Sequence, residues 1–131
     1  MWLLDTNAWI AYLNPRPNPV RQRILEHHGQ VFLCDVVKAE LLFGAYRSAQ
    51  VERNLGTLRT LFEAVDSLPF EGRAADAFGR LRATLQQQGR PIGPYDMQIA
   101  ATALANDLTL VTHNTREFVR VPDLRLEDWE A

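Results

Sequence analysis

Four side chains that offer oxygen ligands stand where the surrounding pattern would ordinarily place an apolar or structural residue: Asp5, Glu40, Asp96 and Asn114. Burying an ionised carboxylate without a partner costs several kcal/mol, so carboxylates on inward faces need a compensating cation. Oxygen ligands suit hard divalent ions, and Mg²⁺ or Mn²⁺ held by carboxylates can activate water against a phosphodiester. These residue types therefore predict a divalent-metal site with hydrolytic chemistry.

Two of these residues are predicted to follow buried strands. Asp5 comes directly after the apolar run 2–4, and Asn114 comes after a strand predicted at 109–112. In open α/β sheets, the carboxyl ends of the strands border the ligand crevice. We therefore expect Asp5 and Asn114 to lie on the same edge of a sheet.

The other two are predicted to lie early in helices, on faces that normally pack inward. The apolar neighbours at helical spacing are Val37, Leu41 and Gly44 for Glu40, and Ile99, Ala100 and Ala103 for Asp96. Arginine, lysine or a metal could balance these acids. Lys38 should point away from Glu40, and Arg90 lies outside the helix of Asp96, so a bound cation is favoured.

The rest of the pattern predicts strands alternating with helices. Strands are expected at 2–4, 31–34, 64–68, 109–112 and 124–126, and helices at 7–13, 19–28, 36–46 with Asp35 as its cap, from 51 onward, at 71–88 and from Pro94. This alternation indicates a three-layer α/β/α sandwich with a mainly parallel central sheet. We expect one domain over residues 1–131.

Composition limits the classes of function. Of 131 residues, 47% are hydrophobic and 23% charged, which fits one globular core. All the basic residues except Lys38 are arginine, which suits phosphate contacts, but the net charge of −2 requires a locally basic surface for any nucleic-acid partner. Cys34 is the only cysteine, and from the pattern of the first residues and the short apolar runs we expect neither a signal peptide nor a membrane span. We expect a cytoplasmic protein.

Each candidate alone has an ordinary structural explanation. Asp5 could cap a helix, and Asn114 could be a turn residue. Asp96 could be stabilised by the dipole at the amino terminus of its helix. Glu40 could pair with an arginine, and Glu117 could be a solvated helix residue. The prediction of a metal site therefore depends on their joint placement.

Other cofactor chemistry has less support. His27 and His28 are adjacent on a predicted helix and cannot both face one ion, while His113 stands alone, so no zinc site is expected. No glycine-rich phosphate-binding loop occurs.

Four ordered motifs together resemble PIN-domain nucleases, and VapC-type toxins in particular. They are residues 4–7, 37–41, 92–101 and 110–118, and the resemblance spans nearly the whole chain. It implies that Asp5 and Asp96 are the principal metal ligands, that Glu40 is a ligand or orients water, and that Asn114 holds the fourth motif position. Thr6 and Thr112 would then support the site by hydrogen bonding.

The fourth motif departs from an all-acid pattern, because Asn114 is neutral where many relatives carry aspartate. Glu117, one turn further on, is placed to complete the set. Three carboxylates supply little charge for two divalent ions, so one tightly held Mg²⁺, or Mn²⁺, is expected. Arg90 and Arg116 are the candidates for holding RNA phosphates.

The resemblance also implies a biological setting: the toxin of a toxin-antitoxin pair, a homodimeric endoribonuclease that cuts structured RNA such as tRNA and is inhibited by a cognate antitoxin. An apolar stripe could receive that antitoxin or a second subunit, or could pack internally. Its members are Leu42, Phe43, Tyr46, Val51, Leu55, Leu58 and Phe62.

Two other hypotheses remain. An aspartyl phosphatase or phospho-receiver would use Asp5 as nucleophile, but the phosphatase needs a second aspartate where this chain has Asn7. The receiver's paired acids and its lysine are also missing. A non-catalytic PIN-like module would keep the fold and bind RNA or protein without cutting.

Overall fold

Five short strands and seven helices alternate along residues 1–130, the part of the chain that the computed structural model describes. The strands are β1 (Trp2–Leu4), β2 (Val31–Cys34), β3 (Ser67–Leu68), β4 (Thr109–Val111) and β5 (Leu126–Glu127). The helices are α1 (Thr6–Leu13), α2 (Pro19–Glu26), α3 (Asp35–Tyr46), α4 (Val51–Ala64), α5 (Gly72–Gln87), α6 (Pro94–Ala105) and α7 (Thr115–Phe118).

The strands form one sheet in the order β3-β2-β1-β4-β5, and every pairing among them is parallel. This confirms the predicted α/β/α fold with its mainly parallel sheet. Leu3, Leu33 and Leu110 are fully buried, as expected for strands covered by helices on both faces. Since all five strands run the same way, their carboxyl ends share one edge.

Local sequence signals explain several helix boundaries. Asn18 caps α2, because its side-chain oxygen accepts a hydrogen bond of 2.8 Å from the backbone N–H of Arg21, and Pro19 follows at the first helical position. Gly89 ends the turn after α5 with a φ of +66°, which glycine adopts without strain. Residues 90–93 then lead to α6, which carries Asp96.

Some predicted boundaries are wrong. The second helix ends at Glu26 rather than at His28, and the third strand is only Ser67–Leu68 because α4 continues to Ala64. The last strand lies at Leu126–Glu127 rather than at 124–126. All of these errors lie at the ends of helices and strands, where the local sequence pattern gives little information on which residue is the last.

The predicted capping role of Asp35 is also wrong. Cys34 occupies the cap position of α3, and Asp35 is the first helical residue. The carboxylate of Asp35 instead accepts a hydrogen bond of 2.6 Å from the hydroxyl of Ser67 in β3. Asp35 therefore bonds to Ser67 on β3 instead of capping α3, and no pattern in the local sequence indicates this contact.

The apolar stripe divides into two parts. Leu55 and Leu58 are buried in the core, so internal packing accounts for them. Phe43 and Tyr46 are each 64% exposed and remain on the surface. Within residues 1–130, no helix combines the length and the apolar character needed to cross a membrane.

Candidate active site

Asp5 lies at the carboxyl end of β1 and caps α1 at the same time. One carboxylate oxygen accepts a hydrogen bond of 2.9 Å from the backbone N–H of Ala8, and the other accepts one of 2.6 Å from the hydroxyl of Thr112. The residue is only 7% exposed. Each carboxylate oxygen has a second lone pair, so capping and cation binding are compatible.

Two threonines fix the acidic side chains, as the resemblance implied. The hydroxyl of Thr112 donates to Asp5 and accepts a hydrogen bond of 3.0 Å from the backbone N–H of Asn114. Thr6 serves a different acid, since its hydroxyl donates to Glu40 at 2.8 Å. The ends of β1 and β4 and the second turn of α3 are therefore connected through side chains.

Asp96 lies in the first turn of α6 and is partly buried. Burial, followed by the charges of Glu117, Glu40 and Asp5, raises the pKa of Asp96 to about 6. Burial likewise raises the pKa of Asp5, to which the charges of Glu130 and Glu40 add. Asp5, Glu40, Asp96 and Glu117 therefore lie close enough to repel one another when ionised.

Glu117 accepts a hydrogen bond at each of its two carboxylate oxygens. One oxygen accepts a hydrogen bond of 3.1 Å from the backbone N–H of Gly93, and the other accepts one of 2.9 Å from the side-chain amide of Asn114. The exposed Asn114 thus orients Glu117, and it is Glu117 that contributes the fourth negative charge near Asp96.

No protein cation neutralises this group among the described residues. Within residues 1–130, the arginines that form ion pairs are Arg80, with Asp76, and Arg125, with Asp107, and none of these acids belongs to the group. Lys38 lies 4.8 Å from the ring of Phe62. Four neighbouring carboxylates without a counter-ion are suited to binding a hard divalent cation such as Mg²⁺ or Mn²⁺.

Arg90 and Arg116 are exposed, and each is close in sequence to an acid of this group. Arg90 precedes α6, and Arg116 precedes Glu117 in α7. In the described part of the chain, neither guanidinium takes part in a hydrogen bond or an ion pair. Both are available for phosphate contacts.

Sequence reasoning missed two contributors. Arg120 donates a hydrogen bond of 3.0 Å to the backbone carbonyl of Pro91, which joins α7 to the loop before α6. Glu130 exerts a stronger charge effect on Asp5 than Glu40 does. Neither residue belongs to a motif, and only the chain's path after β5 brings Glu130 to this edge.

The expectation that His113 stands alone is wrong. Its Nδ1 lies 3.0 Å from a carboxylate oxygen of Asp128 and 3.2 Å from one of Glu130, because β4 and β5 end side by side. His27 and His28 follow α2 instead of lying within it.

Comparison with known proteins agrees with this fold. The PIN domain matches residues 2–124, and the chain belongs to the PIN domain family. Within that family it is similar to the tRNA(fMet)-specific endonuclease VapC of Shigella flexneri, with 41% identity over 128 residues that cover 98% of this chain and 97% of the relative.

Solved structures give the same result. The DNA-bound VapBC structure from Salmonella typhimurium matches with a TM-score of 0.92 and 36% identity, covering 98% of this chain and 97% of that one. VapBC-1 from nontypeable Haemophilus influenzae matches with a TM-score of 0.89 and 33% identity, covering 99% and 98% of the two chains.

Proposed function

We propose that this protein is a metal-dependent endoribonuclease and the toxin of a type II toxin-antitoxin pair, acting in the cytoplasm on structured RNA, with tRNA as its principal substrate. Residues 1–131 would form a single nuclease domain. The observation that carries the proposal is the convergence of Asp5, Glu40, Asp96 and Glu117 without a protein counter-ion. The names of the relatives, which include a tRNA(fMet)-specific endonuclease, support RNA as the substrate.

Asp5 and Asp96 are the residues proposed to hold the cation, with Glu40 beside them. Mg²⁺ or Mn²⁺, if bound there, would supply Lewis-acid activation of water and would neutralise charge that develops on the phosphodiester. Glu40, held by Thr6, accepts a proton from the attacking water. Thr112 keeps the Asp5 carboxylate in a fixed orientation, so little reorganisation is needed when substrate binds.

Glu117 and the two free arginines are proposed to complete the site. Glu117, fixed by Gly93 and Asn114, adds negative charge toward the cation. Arg90 and Arg116 bind the phosphates of the RNA on either side of the acids, since guanidinium forms bidentate contacts with phosphate. Their contribution is to substrate binding rather than to bond breaking.

An antitoxin is the proposed protein partner. A groove of about 560 Å³ lies between α1, α3 and α4; its lining includes Ile10, Leu13, Glu40, Arg53 and Leu58. Because Glu40 lines this groove, a chain segment lying in it would also obstruct the acids. This partner is supported by the similarity of the chain to proteins whose solved structures are VapBC structures. A homodimer is proposed as well, with the exposed Phe43 and Tyr46 as candidates for its interface.

The test is cleavage of total tRNA by the purified wild-type protein and the Asp5→Asn variant, with Mg²⁺, with Mn²⁺ and with EDTA, followed by mapping of the new ends. Asp123→Asn is a matched control, because Asp123 is exposed and has a φ of +64°, which asparagine tolerates. Discrete cuts that require both metal and Asp5, and that persist in the control, are expected.

Two outcomes would contradict the proposal. Cutting that is indifferent to Asp5→Asn and Asp96→Asn would exclude this site. RNA or protein binding by a folded, pure protein that never cuts would replace the enzyme with a non-catalytic PIN-like module. No observation favours the phosphatase hypothesis, since Asn7 provides no second acid.

A further inference from the structure

Three potential metal ligands, His113, Asp128 and Glu130, meet next to the proposed active site, near Asp5. The ligand atoms of His113, Asp128 and Glu130 all lie within 4.8 Å of one another. The Nδ1 atom of His113 lies between the two carboxylates, at 3.0 Å and 3.2 Å. An imidazole nitrogen and two carboxylate oxygens can coordinate one divalent cation.

The backbone places these residues together. Val111 and Glu127 are paired in the parallel ladder of β4 and β5, and the N–H of Thr112 donates to the carbonyl of Glu127 at 3.0 Å. The residues that follow the two strands therefore emerge side by side at the edge that also holds Asp5. The position of the cluster is a consequence of sheet register rather than of flexible side chains meeting by chance.

Two hydrogen bonds hold the side chain of Glu127, the last residue of β5, and one of them comes from Trp129 in the segment that follows. The carboxylate of Glu127 accepts hydrogen bonds of 3.0 Å from the indole N–H of Trp2 and from that of Trp129. Trp129 is almost fully buried, and it lies between Asp128 and Glu130 in the chain. Both carboxylates of the cluster therefore flank a fixed core residue, which limits the entropy cost of holding an ion.

The charged neighbours of Asp96 and those of His113 differ, except for Asp5. Burial, followed by the charges of Glu117, Glu40 and Asp5, raises the pKa of Asp96. His113, in contrast, lies in the field of Asp128, Glu130 and Asp5. Asp5 is thus the shared neighbour of two groups of ligands, one made of oxygens alone and one that contains a nitrogen.

We propose that His113, Asp128 and Glu130 form an auxiliary site for a first-row transition-metal ion such as Zn²⁺ or Co²⁺, distinct from the Asp5–Asp96 site. Imidazole favours these ions over Mg²⁺, whereas the all-oxygen group suits Mg²⁺. The two positions therefore differ in selectivity. An ion in the auxiliary site reduces the negative charge beside Asp5 and presents positive charge to an approaching RNA phosphate.

The test uses Co²⁺ as the probe in the presence of excess Mg²⁺, which saturates the oxygen-only group. Binding is followed by calorimetry and by visible absorption, which reports nitrogen ligation to Co²⁺. The wild-type protein is expected to bind about one Co²⁺ with a histidine-dependent spectrum, as a single His–carboxylate site requires. This readout does not depend on nuclease activity.

Variants assign the ion to the cluster. His113→Gln and Glu130→Gln are each expected to weaken Co²⁺ binding by at least about tenfold, the scale on which metal sites respond even to outer partners. His28→Gln, at another exposed histidine, and Asp96→Asn, in the other ligand group, are expected to keep Co²⁺ binding under excess Mg²⁺. Thermal melts confirm that the variants fold.

The proposal is overturned if the wild-type protein takes up no Co²⁺ under excess Mg²⁺, since the cluster is then only an ion pair. It is also overturned if Co²⁺ binding survives in both His113→Gln and Glu130→Gln. Loss of binding in Asp96→Asn alone would place the ion in the oxygen-only group and would likewise contradict a separate site.

Discussion

The hydroxyl of Thr112 donates a hydrogen bond of 2.6 Å to the carboxylate of Asp5, a residue 107 positions away in the chain. This bond joins the carboxyl ends of β4 and β1, and it is buried. It lowers the pKa of Asp5, against the larger effect of burial, which raises it. Thr112 therefore favours the ionised form of Asp5 and fixes the orientation of its carboxylate.

Replacing Thr112 by valine is expected to remove this bond while keeping the side-chain volume. A buried carboxylate that loses one hydrogen bond costs about 1–3 kcal/mol of unfolding free energy, and cleavage should fall through weaker metal binding. Thr112→Ser should restore both properties. Thr60→Val on α4 is the control, because the hydroxyl of Thr60 is exposed and bonds only its own helix. Urea unfolding and metal titration measure the effect, and equal losses in both valine variants would refute this role.

Asp96→Asn is expected to abolish cleavage and yet to stabilise the metal-free protein near neutral pH. The wild-type carboxylate is partly buried among like charges, which raises its pKa to about 6. Removing its charge at pH 7.5 should add on the order of 1 kcal/mol to the unfolding free energy, after allowance for solvent screening. Thermal melts in EDTA measure this. A less stable variant would show that Asp96 is not electrostatically strained.

The pH dependence of stability should follow from the same group. Asp96 has a higher pKa in the folded protein, about 6, than its ordinary value of 3.8, so the folded state binds the proton more tightly. Its contribution therefore makes the metal-free protein more stable as pH falls from above about 6 toward about 4. Asp5 acts in the same direction. Asp96→Asn should flatten the profile between pH 7.5 and pH 5, and Mg²⁺ or Mn²⁺ should raise Tm more at the higher pH. An unchanged profile in the variant would contradict the assignment.

Glu117→Gln is expected to weaken Mn²⁺ binding by roughly tenfold, in keeping with the loss of a charge that supports a metal site. The pKa of Asp96 should fall as well, because Glu117 is the largest charge acting on it. Calorimetry measures the affinity. Glu63→Gln on the exposed part of α4 is the comparison, and identical affinities in the two variants would remove Glu117 from the site.

Arg90→Ala and Arg116→Ala should raise KM for tRNA with little change in kcat. Each should also reduce the salt dependence of binding by about one phosphate contact. Arg80→Ala is the control, since Arg80 is paired with Asp76 on an exposed helix face. Filter binding across a salt series would detect the difference. A slope that is the same in all three variants would place the RNA elsewhere.

Local sequence was enough for much of this architecture. Asp5 and Glu40 could be singled out because an acid within an apolar run is costly, and that cost is visible without coordinates. Parallel strands followed from the alternation of helices and strands. Glu130 could not be found in this way, since its approach to Asp5 depends on a strand of two residues, Leu126–Glu127, whose pairing is a tertiary event.

The same limit explains His113 and Asn114. Whether an isolated histidine has partners depends on which strand lies beside it, and the register of β4 with β5 decides that. In the sequence, Asn114 occupies the fourth motif position. In the structure, its side-chain amide donates a hydrogen bond to the carboxylate of Glu117. Side-chain hydrogen bonds of this kind have no periodic signature.

The dual role of Asp5 has a spectroscopic consequence. The backbone N–H of Ala8 donates a hydrogen bond to the carboxylate of Asp5, which is proposed to hold the ion. Its chemical shift and its hydrogen-exchange rate should therefore respond to whatever Asp5 binds. In an NMR spectrum, one backbone resonance of α1 becomes a reporter of the site, and it can be followed without substrate and without altering any residue.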